Sequence, residues 1–546
     1  MIPFGPWLPD HPSLGHPGVL ELENAFPAAR GFRAVRAPTQ ITEPALLVSA
    51  TQNGVTEPDA NMPRIRGIFS TVSVNSGTLE TNVFVGTSGA LYKVDATTNK
   101  FSPWNYNATV PQQNSDPTYN NVTRWNFAEF ATTTGPRKVY AAGGAQQTLQ
   151  VFDSNGSTAP TSVTNGPNPV HLCVVGRFLV CGNTSVSEGQ VRWSQIDDAE
   201  SWTEGTNQAG SQILPDASEI TGMVGGETGL ILTRDGLYRM TYVGAPLVMT
   251  FDKVSNRGCD FAGSIASLSS DDVFFLSEDG FQRYRGGVVE NIGAEAVNEF
   301  FFADFDRNYS GDLACVIDPA NDLVIWSYGS YGGNTTNNRL LAYNYVLGTW
   351  GIATMAHDTI GLARQLGKTL EQLDTADAVN YEGRIATQLS TLSNNGNPAV
   401  QLEEMTTTLD SARFAGGPAI VTLSVRAYNG PNEFDFSSAL TSLDGDTLPL
   451  TLTTGEFEPA EKQHVLIRAV MPHIEATDTN ANVTCAVGGR SRQINPLTFN
   501  DPASVNDSNI IPARRSSRYF ALRFTATGDW SQAFGFSYDG TAQGRR

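Results

Sequence analysis

The sequence predicts an all-β protein: a β-propeller of about six blades, a C-terminal β-sandwich-like domain and an irregular N-terminal arm. Three observations carry this. Only 16% of the 546 residues are charged, while Gly (52) and Pro (29) are abundant, the composition of a chain with many short strands and turns. Short runs rich in Val, Ile, Tyr and Trp recur, each closed by Pro, Gly or Asn. A strand–turn–strand motif also repeats at the spacing of one four-stranded blade.

Taken in order, residues 1–40 form the arm. Pro3, Pro6, Pro9, Pro12 and Pro17 oppose both helix and central strand. Such an arm is stable only when docked, so Phe4 and Trp7 should be covered by a partner or a later domain. The propeller is assigned to residues 41–355. Leu230–Met240 (LILTRDGLYRM) and Phe274–Tyr284 (FFLSEDGFQRY) share one register, with Thr233 matching Ser277 and Asp235-Gly236 matching Asp279-Gly280. Val85–Val94 fits the same frame. Further hairpins are expected over Val139–Phe152, turning at Gly143-Gly144, and over Leu172–Cys181, turning at Gly176-Arg177 and leading to Val191–Ser194. The last blade should be Leu313–Ile352, four strands in succession. Both faces of Leu323–Tyr328 (LVIWSY) are apolar, so this strand should lie between two other sheets.

Residues 356–415, rich in Asn, Thr, Ser and Gly, read as a connector, with a short polar stretch at Thr369–Asp374. Residues 416–546 read as the C-terminal β-rich domain, with strands at Ile420–Tyr428, Leu448–Thr453, His464–Pro472, Asn482–Val487 and Tyr519–Thr527 and a flexible basic tail from Asp539. Helix is expected only at Ile292–Phe302.

The net charge of −20 argues against tight nucleic-acid or anionic-membrane binding, yet suits a surface past which DNA slides. No run of apolar residues is long enough for a membrane span, and MIPFGPWLPDHP lacks the pattern of a signal peptide, so synthesis in the cytoplasm is expected. Cys173, Cys181, Cys259, Cys315 and Cys485 read as buried free thiols. A turn at Gly176-Arg177 would set Cys173 opposite Val180 and Cys181 opposite Leu172.

No catalytic, cofactor-binding or metal-binding residue is assigned, and no cofactor. His11, His16, His171, His357, His464 and His473 form no metal motif. The run Asp304, Asp306, Asn308, Ser310, Asp312 has calcium-loop alternation, but Gly311 and the missing terminal glutamate depart from that pattern. A glycosidase would need two converging carboxylates; the pairs Asp197/Asp198, Asp271/Asp272 and Glu278/Asp279 are better read as solvated turns. Arg514, Arg515 and Arg518 read as a loop cluster or as subunit salt bridges.

At Phe4–Asp10 (FGPWLPD), Gly18–Gly31 (GVLELENAFPAARG), Val191–Trp202 (VRWSQIDDAESW), Leu323–Trp350, Leu370–Asp374, Thr454–Phe457, Pro512–Tyr519 and Gly544–Arg546, the chain resembles the tail nozzle (tail tubular protein B-type) proteins of short-tailed bacteriophages. The resemblance implies a structural virion protein and no enzyme. It implies a homohexameric ring below an adaptor protein, continuing the DNA-ejection channel and carrying tail fibres or spikes, with genomic double-stranded DNA passing the lumen without specific binding. A net negative lumen is expected. The alternatives are a propeller module recognising a host glycan or receptor, which would expose aromatics at one propeller mouth with Trp125, Trp193, Trp202 and Trp326 as candidates, and a glycosidase.

Overall fold

The computed structural model of the chain describes residues 1–13, 15–40, 51–52, 55–56, 65–75, 78–87, 91–94, 101–103, 122–131, 137–332, 337–363, 420–428, 436–476 and 481–544. Its architecture follows from hairpin chemistry repeated along the chain. In the fourth blade Gly229–Thr233 pairs with Gly236–Gly244, and in the fifth Asp272–Ser277 pairs with Gly280–Arg285. The Thr233 hydroxyl donates to the Gly236 carbonyl at 2.9 Å, and the Ser277 hydroxyl donates to that of Gly280 at 3.2 Å. The repeat seen in the sequence is therefore one turn built twice, with a side-chain hydroxyl tightening each.

Six four-stranded antiparallel meanders follow one another from Ile65 to His357. A seventh is assembled from four strands drawn from distant parts of the chain: Thr359–Ala363, Ile420–Tyr428, Phe436–Ser442 and, at its outer edge, Thr39–Gln40. The six blades expected before residue 352 are all present, and the seventh closes the circle. Ser70 of the first blade donates to the Leu362 carbonyl of the seventh at 3.3 Å. An N-terminal strand thus completes the last blade, which ties residues before the first blade to the end of the propeller.

The sixth blade matches its expectation closely. Leu323–Tyr328 is buried at every position. Leu323 and Ile325 face a core shared with Ile360 and Leu423 of the seventh blade. Val324, Trp326 and Tyr328 face a core shared with Phe281 and Phe301. Each such buried side chain contributes about 1.5–3 kcal/mol.

Several boundaries move. Thr359–Ala363 lies in the expected connector but is an inner propeller strand, while residues 364–415 of that connector, with Thr369–Asp374, fall outside the described residues. Ile420–Tyr428 belongs to the seventh blade rather than to the C-terminal domain. Asp539–Gly544, expected as a flexible tail, continues the strand Trp530–Gly544, paired with His464–Ala476. The helix spans only Asn298–Asp304; the residues before it form a turn in which the Ala296, Val297 and Asn298 backbone N–H groups donate to the Gly293 carbonyl.

The C-terminal domain is a sandwich of two sheets, and the arm is woven into both. Val19–Glu23 pairs with Leu450–Thr454 in one sheet. Ala25–Pro27 and Phe32–Ala34 lie between the outer strand of the sixth blade and Trp530–Gly544 in the other. The result is one continuous ten-stranded sheet running from propeller to sandwich. Phe4 and Trp7 are buried within this same chain, as the docking expectation required: Phe4 packs against Phe524 and Phe536, and Trp7 against Phe300.

Candidate functional site: the propeller axis and the arm seam

Two places concentrate structure that stability of a single blade does not demand. The first is the seam. Asn24 sits at φ 59°, a left-handed conformation that Asn tolerates, where the arm passes from one sandwich sheet to the other. Its Oδ1 accepts from the Thr354 backbone of the sixth blade at 2.9 Å, and its Nδ2 donates to the Pro449 carbonyl of the sandwich at 3.0 Å. Nearby, Asp10 caps the short helix, accepting from the Glu299 and Phe300 backbone N–H groups at 2.8 Å each. His16 donates from Nε2 to the Leu8 carbonyl and accepts at Nδ1 from Gly18 N–H. Asn24 thus ties arm, propeller and sandwich together, Asp10 ties the arm to the propeller, and His16 fixes the arm's own fold.

The second place is the axis. The seven inner strands surround a cavity of about 510 Å³. Its polar groups gather at the end where those strands begin: Arg66, Arg124, His171, Asp312 and Asp358. Arg124 precedes the second blade yet reaches across to the sixth, where its Nη2 donates to the carbonyls of Gly311 (3.2 Å) and Leu313. Arg66 donates to the Thr123 carbonyl at 3.3 Å and lies 3.7 Å from Asp312. Burial pushes His171 down to about 3, and the Arg124 charge pushes the same way.

The acidic pairs do not converge. Asp197 is held by Arg177, with Nε at 2.6 Å. Asp198 accepts from Glu200 N–H and the Ser201 hydroxyl. Asp272 binds Arg283 through both oxygens at 2.8 and 2.7 Å, and Asp271 lies 3.7 Å from Arg239. Glu278 donates its backbone N–H to Asp260. The calcium-like run is dispersed among different partners: Asp304 with Tyr328 and Arg339, Asp306 with Asn308, and Asp312 with Arg66. No group of three metal-ligating side chains occurs among the described residues. In the Arg514, Arg515 and Arg518 cluster, Arg515 donates to the carbonyls of Val487 and Gly489 and to Asn500, and Arg518 pairs with Glu458 at 2.7 Å. Trp125, Trp193, Trp202 and Trp326 are all buried, so none serves as an exposed aromatic.

Sequence reading missed one buried network. Ser327 and His357 Nε2 are 2.6 Å apart, and His357 Nδ1 is 2.8 Å from the Met355 carbonyl. The pair resembles a nucleophile and its base, but both residues are buried and the third partner is a backbone carbonyl rather than a carboxylate. It is a structural pin between strands. All five cysteines are free thiols, with Cys173 opposite Val180 and Cys181 opposite Leu172 as expected.

No protein-family model and no curated protein matches the chain. Among solved structures, Hsv2 of Kluyvelomyces marxianus is 8% identical, covering 54% of this chain and 97% of its own, with a TM-score of 0.29. Dihydro-heme d1 dehydrogenase NirN, in complex with DHE, is 9% identical over 89% of this chain and 80% of its own, with a TM-score of 0.32. A glycoside hydrolase is 8% identical over 88% and 99%, with a TM-score of 0.24. Likeness at this level does not bear on function. The assignment of a β-propeller joined to a β-sandwich rests on the seven sheets and their closure.

Proposed function

We propose that the chain is a structural virion protein, the subunit of a tail nozzle ring that continues a DNA-ejection channel below an adaptor and supports fibres or spikes. The observation that carries this reading is the fused construction of propeller and sandwich. A continuous sheet and one shared core make the two domains move as a unit, which suits a subunit that must hold a passage open. The propeller axis is too narrow for a duplex and is crossed by Arg124, so the passage lies between copies. A chain of net charge −20 lining that passage would repel phosphate rather than hold it.

A ring needs a surface for neighbours to cover. The turns on one face of the disc supply apolar side chains on three successive blades: Tyr242, Val243 and Leu247, then Leu268 and Val288, then Val346 and Leu347, all exposed. Exposed apolar side chains gathered on one face are a feature of interaction sites. The same face would serve the second reading, a receptor-binding propeller module.

Native mass spectrometry of the purified chain, alone and with the particle's adaptor protein, separates the two. A closed oligomer, on its own or on the adaptor, is expected. A monomer in both conditions that binds a glycan array would favour the receptor module instead.

A further inference from the structure

The axial cavity has a chemistry that ring building does not use. We infer that it is a binding site for a small organic monocarboxylate carrying a short aliphatic chain.

At about 510 Å³, the cavity falls within the range of small-molecule sites. It is amphipathic along its length. Where the inner strands begin it presents Arg124; further along it is walled by Ile68, Met223 and Leu362. Arg124 is held rigidly. Its Nη2 is taken up by the carbonyls of Gly311 and Leu313, and the guanidinium rests on Gly263, where any Cβ would meet it. Its Nε and Nη1 have no hydrogen-bond partner among the described residues. A fixed guanidinium edge beside an open cavity is a carboxylate receptor.

Charge selects a monoanion. Arg66 is engaged by the Thr123 carbonyl and by Asp312, and Asp358 stands at the same end. Two acidic side chains beside two guanidinium groups leave no excess of positive charge, so a dianion such as phosphate is disfavoured. His171 and Cys315, which also line this end, are neutral in the fold, because burial lowers the imidazole and raises the thiol.

The test is isothermal titration of the full chain with butyrate, with butylamine and inorganic phosphate as controls. Butyrate should bind at millimolar concentration, and the controls should not. Arg124→Met should weaken butyrate binding by about tenfold or more. Should that variant not fold, Asp312→Asn decides: removing the competing carboxylate should tighten butyrate binding. Absence of butyrate binding, butylamine binding equal to that of butyrate, or unchanged or weaker affinity in Asp312→Asn would each overturn the inference. Retained affinity in a folded Arg124→Met would do the same.

Discussion

Removal of the Trp7 side chain tests whether the arm is part of the core or merely laid upon it. Trp7 is 1% exposed and packs edge-on to Phe300 at 5.2 Å. Truncating a buried Trp to Ala costs about 3–5 kcal/mol. The indole Nε1 of Trp7, however, is buried without a hydrogen-bond partner, a penalty of about 1–3 kcal/mol that the native fold already carries. Trp7→Ala removes that penalty along with the packing, so its net cost should be about 2 kcal/mol, the difference of the two mid-range values. Trp7→Phe also removes the orphaned donor but keeps the ring contact, worth about 0.5–1.5 kcal/mol, and should lie within about 1 kcal/mol of wild type. Phe4→Ala has no such relief and should cost the full 3–5 kcal/mol, roughly. The expected order of destabilisation is therefore Phe4→Ala, Trp7→Ala, Trp7→Phe, measured as urea midpoints by far-ultraviolet circular dichroism. A Trp7→Ala midpoint equal to wild type, or Trp7→Phe less stable than Trp7→Ala, would refute the reasoning.

Other consequences are equally open to measurement. Arg490 grips Glu456 through two bonds of 2.7 and 2.9 Å, and the Glu456 side chain is 3% exposed. Arg490→Leu should cost about 3–5 kcal/mol by stranding that carboxylate, and adding Glu456→Leu should restore most of it; denaturant titration of both variants checks this. His171 has a folded pKa lowered by burial to about 3. Between that value and its unfolded value near 6.5 the unfolded chain binds the extra proton, so stability falls as pH drops through this window. His171→Phe should flatten that part of the pH–stability curve, and an unchanged slope would exclude His171 as its source. Burial raises the Cys173 and Cys485 thiols to about 12 and Cys259 to about 11, so an aromatic disulfide reagent at mildly alkaline pH should leave these three unmodified in the native protein and label all five cysteines after denaturation.

Local chemistry was readable from the sequence; closure was not. Leu323–Tyr328 announces its double burial because both alternating sets are apolar, and the Asp-Gly turns at Asp235-Gly236 and Asp279-Gly280 fix their hairpins without help from elsewhere. The seventh blade escaped notice because its strands are far apart in sequence: Thr39–Gln40 pairs with Phe436–Ser442, and Ile420–Tyr428 with Thr359–Ala363. Trp530–Gly544 was legible only in part, since its pairing with His464–Ala476 stabilises a terminal stretch rich in Gly, Ser and Gln that has little strand preference of its own. The arm's two anchors were legible as exposed aromatics needing cover, yet nothing local says that Asn24 bridges propeller and sandwich. The axial cavity leaves still less trace, because its lining is gathered from seven strands distant in sequence.

The central claim is that copies of this fused propeller and sandwich encircle a passage. The most direct measurement is a cryo-electron microscopy reconstruction of the native particle at a resolution that separates domains. The account predicts the seven-bladed disc and its sandwich repeated as one rigid unit around the tail axis, with an acidic wall facing the lumen. Density in which the chain stands alone at the particle's periphery, or a lumen lined by Lys and Arg of this chain, would contradict it.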